Sequence, residues 1–366
     1  MLIGMICMDW NQINSYQAYN TSTLSYVRAK VISIEGMNLV QDELDESRFL
    51  GIQDVIVEIT EGSYKGEQIL IRNNLSRTQN VKVDKGQRVI VCVDAPENAS
   101  AYFTIFNYDR SIGMTVIFIL FASLVLVIGG KKGIRALAGL AVTLAIILLF
   151  YVQGIFHGKS VLGIAVIAMT GITAATLYIL NGISKKTLLA TAGTFCGLVA
   201  AGVFCLVCQK LLYVSGYNLE DAEGLLLIRQ NTGLEVKHLL LAGVLISALG
   251  AVMDVAVSIV AALYELVETN PDFGMLSLFR SGMNIGKDMI GTMCNTLILA
   301  FVGSSLTTLL LLLGYGYQPV QLLNSDYLAI ELIQGMASTL AVVLTVPVTS
   351  IISAYFLQGV RGHEKN

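Results

Sequence analysis

Between Ile112 and Ile128 the chain runs without a charged residue or a proline. Crossing the roughly 30 Å hydrocarbon core of a membrane as a helix takes about 20 apolar residues. The sequence holds seven stretches that reach or approach this length: 112–130, 134–152, 161–180, 187–212, 238–262, 289–313 and 328–357. Backbone polar groups have no water partners in lipid, so a spanning segment closes its hydrogen bonds internally, as a helix or in a closed barrel. Barrel strands are about ten residues of alternating polarity. The seven stretches lack that pattern and are expected to be helices, the last kinked at Pro347.

Composition narrows the class further. The chain is 55% hydrophobic and only 13% charged, with a mean hydropathy of +0.70, against about 25% charge in soluble domains. Residues 1–110 hold 24 of the 49 charged side chains. The expected fold class is therefore an α-helical integral membrane bundle of about seven transmembrane helices, preceded by a small β-barrel-like extracytoplasmic domain. The expected divisions are a polar lead-in over 1–25, the β-rich domain over 26–110, the membrane domain over 111–360 and a tail over 361–366. A net charge of −3 without a basic block argues against nucleic acid as a partner. High hydrophobicity excludes disorder.

Within the front part, Val27, Ala29 and Val31 alternate with Arg28 and Lys30. Val55, Val57 and Ile59 do so with Ile56 and Glu58, and Val89, Val91 and Val93 with Arg88, Ile90 and Cys92. This period of two predicts strands. Turns are expected at Gly62–Gly66 and at Asp84–Gln87. About five short strands suit a small barrel of OB or lipoyl-like size.

Orientation follows from the basic residues at the span ends. Lys131, Lys132, Arg135, Lys185, Lys186, Arg280, Lys287, Arg361 and Lys365 fall on one side, against Lys159, Lys210, Arg229 and Lys237 on the other. The richer side is expected to be cytoplasmic, with the front domain outside. An exported front domain calls for an upstream signal or span, and Met1–Met8 is too short an apolar stub to serve. A start downstream of the natural one is the expectation.

Polar residues inside spans are costly and point to function. In the fifth span Ser247, Ala251, Asp254, Ser258 and Glu265 share one helical face. In the sixth, Asn284, Asp288, Gly291 and Asn295 share another, flanked by Thr292. Consecutive antiparallel spans would bring Asp254, Ser258, Asp288 and Asn295 near one level, an oxygen-rich set suited to a hard cation or a proton relay. The same residues serve equally well as hydrogen-bonded glue between helices. Glu331 opens the seventh span, where an interfacial role is expected. Cys205-Leu-Val-Cys208 lies in an apolar helix without a second ligand pair and reads as packing. Gly193-x-x-x-Gly197 and Gly282-x-x-x-Gly286 suit close helix contacts, within one chain or between chains. The chain lacks Gly-x-Gly-Asp before Asp254, His-Glu-x-x-His, Gly-x-Ser-x-Gly and the Walker A pattern, so neither an enzyme nor a nucleotide cofactor is expected.

The segment LAGVLISALGAVMDVAVSIVAALYELVETNP, followed by LFRSGMNIGKDMIGTMCNTLILA, resembles the core motif of the YibE/F-like family of bacterial multi-pass membrane proteins. The similarity extends to Glu61-Gly-Ser-Tyr-Lys-Gly66, to Val83-Asp-Lys-Gly-Gln-Arg-Val89 and to Tyr108-Asp-Arg110, running from about Tyr26 to Phe356. The resemblance implies an exported β-rich domain ahead of a permease-like unit in the cytoplasmic membrane, and a hydrophobic span before the β-domain. It implies no particular chemistry. By motif, the positions at stake are Asp254, Glu265, Asn284, Asp288 and Asn295. The functional expectation is a transporter or permease for an ion or small solute, or else a non-transporting scaffold or accessory subunit. The expected partners are the lipid bilayer and a second copy or another membrane subunit.

Overall fold

The computed structural model describes residues 23–96, 99–219, 221–270 and 273–364. The stub and most of the polar lead-in expected at the N-terminus lie outside these residues. The chain divides into two compact units at Val125–Leu126.

The first unit is built on five antiparallel strands: β1 (Leu24–Asp42), β2 (Asp45–Ile59), β3 (Gln68–Leu75), β4 (Arg88–Asp94) and β5 (Tyr102–Tyr108). They form one sheet in the order β3-β2-β1-β4-β5. Period-two alternation places Val27, Ala29, Val31, Val55, Val57, Ile59, Val89, Val91 and Val93 in one buried cluster, joined by Ile71 and Ile105. The sheet is not the closed barrel expected from the strand count. β3 and β5 are its two edges and are not hydrogen-bonded to each other.

Segment 76–87 supplies what closure would have provided. It contributes Val81 and Val83 to the buried cluster, although it belongs to no strand. Buried backbone groups need partners, and side-chain amides provide them. Gln53 donates from Nε2 to the Val83 carbonyl at 3.1 Å and accepts the Val83 N–H at 3.1 Å. Asn73 donates to the Val81 carbonyl at 2.8 Å. The Tyr108 hydroxyl donates to the Lys82 carbonyl at 2.6 Å. Gly86, at φ 88°, makes the turn that returns this strap to β4, and its N–H donates to the Val31 carbonyl.

Six helices among the described residues are long and apolar enough to cross a membrane. We name the helices α1 (Ser111–Phe156), α2 (Val161–Asn181), α3 (Lys185–Leu212), α4 (Ala222–Thr232), α5 (Leu239–Thr269), α6 (Met275–Gly314), α7 (Pro319–Leu323) and α8 (Asp326–Glu364). α4 and α7 are too short to span. The count of seven expected spans is not confirmed: 112–130 and 134–152 both fall within α1, where two helical runs meet across a kink at Gly130. At 1.5 Å per residue, α1 would be about 69 Å long if straight, roughly twice the hydrocarbon thickness. It is not regular: Gly130 takes φ 51°, ψ −130°, outside the helical region. Residues Ile146–Val152 are wound as a π-helix.

In the second unit α8 is the central column, packed against α3, α5 and α6. Two glycine pairs make this approach possible. A Cβ on Gly193 or Gly197 of α3 would collide with the hydroxyls of Thr349 and Thr345, respectively. A Cβ on Gly282 of α6 would lie 2.6 Å from the Ser350 hydroxyl, and one on Gly286 would collide with Val346. Adjacent residues on a helix point about 100° apart, so Thr345/Thr349 face α3 while Val346/Ser350 face α6. The two Gly-x-x-x-Gly motifs thus act within one chain.

Candidate functional site: outward polar faces on two helices

α5 packs through one broad stripe. Val244, Ala248, Val252, Val255, Ile259 and Leu263 are among its fully buried residues. About 180° away run Gly243, Ser247, Gly250, Asp254, Ser258, Ala261 and Glu265, every one exposed. Asp254 makes no hydrogen bond or ion pair among the described residues. Ser247, two turns earlier, stands 3.2 Å from the buried hydroxyl of Ser338 and ties the edge of this face to α8.

α6 repeats the arrangement. Its packing side is Leu278, Gly282 and Gly286, all buried. Asn284, Asp288, Thr292 and Asn295 lie on the far side and are exposed. Thr292 bonds only to its own helix, donating to the Met289 carbonyl at 3.1 Å. Each helix therefore keeps its apolar or glycine side for its neighbours and leaves its acids and amides outside the packing.

α5 and α6 touch where Leu263 approaches Gly282; a Cβ on that glycine would lie 3.2 Å from Leu263 Cδ1. Among the described residues no hydrogen bond or ion pair joins the Asp254–Ser258 set to the Asn284–Asn295 set. The helices that carry the two sets are neighbours, but the residues are not linked directly. Glu265 shares the exposed face of α5 one turn beyond Ala261.

Glu331 sits elsewhere, in the second turn of α8. One of its carboxylate oxygens is buried without a hydrogen-bond partner among the described residues. Cys205 is buried and Cys208 half-buried, and neither is in a disulfide. Among the described residues no three His, Cys, Asp or Glu side chains cluster as metal ligands would.

Sequence spacing places Ser338 on the face of Glu331 but does not single out the hydroxyl column that continues along α8 through Thr345, Thr349, Ser350 and Ser353. Ser338, Thr345, Thr349, Ser350 and Ser353 are fully buried. Thr345 and Ser350 donate back to the carbonyls of Ala341 and Val346, at 2.6 and 2.7 Å. The hydroxyls of Thr349 and Ser353 have no hydrogen-bond partner among the described residues. The run Thr345-Val-Pro-Val-Thr-Ser350 was the available signal, since hydroxyl residues one turn apart around a proline mark a helix that others approach closely.

Comparison with curated proteins and with solved structures gives no match. Family models match both parts of the chain. One described as YibE/F family N-terminal domain covers residues 24–108, and one described as YibE/F-like protein covers residues 117–359. The second match includes both outward polar faces and the central helix, and the chain belongs to the YibE/F-like family.

Proposed function

We propose that this membrane protein is a transporter or permease for an ion or small polar solute, and that the outward faces of α5 and α6 line its path. The supporting observation is the position of Asp254 and Asp288. Both are on the sides of their helices that the chain's own packing leaves uncovered. An acid facing lipid near the centre of a span costs about 2.5–3.5 kcal/mol on insertion scales. Asn284, Asn295 and Ser258 add to the polarity of the same faces. A solvated path removes that cost and gives the carboxylates a role with a passing cation or proton. In this reading Asp254, Ser258, Asp288 and Asn295 contact the cargo, while Asn284 and Thr292 flank them.

The reading includes a topology. The α1 stretch is long enough for two passes, and Gly130 with Lys131 and Lys132 suits a cytoplasmic reversal. Seven passes through the cytoplasmic membrane then put the β-unit outside and the C-terminus in the cytoplasm.

Proteoliposomes carrying the full chain, loaded with dyes for protons, sodium, potassium, magnesium and calcium, test the proposal. The wild type is expected to carry at least one of these, with Asp254→Asn and Asp288→Asn each reducing the flux at least tenfold. Variants that keep the wild-type melting temperature and the wild-type flux for every ion would overturn it. They would favour the rival in which this face docks a partner subunit.

A further inference from the structure

A groove of about 220 Å³ lies between the second half of α6 and the first half of α8, lined by Phe301, Val302, Tyr327, Leu332 and Met336 among others. Its walls are almost wholly apolar. Glu331 is the one ionisable carboxyl group in the lining. Its Oε2 is buried and has no partner among the described residues, and the two hydroxyls in the lining are already engaged. Tyr327 donates to the Ser305 carbonyl at 3.0 Å, and Ser305 donates to the Phe301 carbonyl at 2.8 Å.

We propose that this groove binds a lipophilic amine in its protonated form, with Glu331 as the counter-ion and Phe301 and Tyr327 as aromatic walls. Other occupants fit the chemistry less well. A hard divalent cation takes six or more oxygen ligands, and the groove offers one carboxylate. A neutral hydrocarbon chain would fill the apolar walls and leave the buried oxygen unpaired, which is costly in such surroundings. An ammonium N–H on an apolar body satisfies the oxygen with a charge-assisted hydrogen bond, and the aromatic rings favour its cationic end. The groove involves neither Asp254 nor Asp288, so it stands apart from the proposed transport path.

The full chain in lipid nanodiscs, dialysed against phenethylammonium beside empty nanodiscs, provides the test. Propylbenzene serves as the neutral isostere. The wild type is expected to take up one saturable equivalent of the amine above the lipid background. Glu331→Gln should weaken uptake at least tenfold without changing propylbenzene uptake, and Asp254→Asn should leave it intact. Wild-type protein can also be treated with dicyclohexylcarbodiimide, which needs no variant to fold, and phenethylammonium should slow modification of Glu331. The proposal is overturned by the absence of saturable uptake, by equal binding to Glu331→Gln, or by a modification rate that the amine does not change.

Discussion

The Thr349 hydroxyl occupies the space that a side chain on Gly193 would fill, and it has no hydrogen-bond partner among the described residues. The contact between α3 and α8 is therefore set by shape, with a missing side chain on one helix admitting a hydroxyl from the other. Gly193→Leu should overpack this contact and cost about 1–3 kcal/mol, seen as a lower melting temperature in detergent. Adding Thr349→Ala should recover part of the loss. Thr349→Val alone replaces an unpaired hydroxyl by a methyl group of similar size, and should leave stability unchanged or slightly raised.

In the β-unit, Gln53 holds the strap at Val83 by two hydrogen bonds and also accepts from Asn73 at 3.3 Å. Gln53→Leu would leave the Val83 N–H and carbonyl unpaired, at about 1–3 kcal/mol for each group. Limited trypsinolysis is the measurement, because Lys82 and Lys85 lie in the strap. Cleavage there should rise sharply in Gln53→Leu, while cleavage elsewhere in the chain stays near the wild-type rate.

These two contacts show what was legible in the sequence. The strand residues Val27, Ala29 and Val31, and Val89, Val91 and Val93, alternate as expected, because one face of a sheet meets a core and local spacing records that. The strap was not legible, since Gln53 and Val83 are thirty residues apart and no periodicity links them. Strand number alone suggests a closed barrel, whereas the actual cover is irregular chain held by amides. For α5 and α6 the polar faces were readable from spacing alone. Their direction was not, because it depends on which side each helix gives to α8. On α6 that side is Gly282 and Gly286, across the helix from Asn284 and Asn295. The break in α1 lies at the Gly130-Lys131-Lys132 run, but spacing could not distinguish two spans from one irregular helix.

Acid should loosen the β-unit. The backbone N–H of Leu44 and the guanidinium of Arg77 both donate to Asp42, and together they hold its carboxyl below the usual carboxylate value. A group with a lowered folded-state pKa stabilises fully above its unfolded value of about 3.9. That contribution is lost as pH falls through the folded value. The thermal midpoint of the β-unit should therefore decline on going from pH 6 towards pH 3. Asp42→Asn should be less stable at pH 6 and should show a shallower decline.

In the proposed topology α1 reverses at Gly130 and so makes two passes. Single cysteines at Lys132 and in the C-terminal tail, in a background without the native cysteines, should label from the same side of sealed membranes. A cysteine at Lys65, in the turn after β2, should label from the opposite side. Labelling of positions 65 and 132 from one side would mean that α1 does not make two passes.

The central claim is that the outward faces of α5 and α6 meet water rather than lipid. Thiol modification tests this most directly, because methanethiosulfonate ethylsulfonate is membrane-impermeant and reacts with ionised, hydrated thiols. Ser258→Cys and Asn295→Cys, in the cysteine-free background, are to be compared with Ile167→Cys, an exposed apolar position on α2, away from both polar faces. The prediction is modification of positions 258 and 295 at least tenfold faster than of position 167, with Asp254 and Asp288 unchanged in each variant. Equal, slow modification at all three positions would contradict a solvated path along these helices.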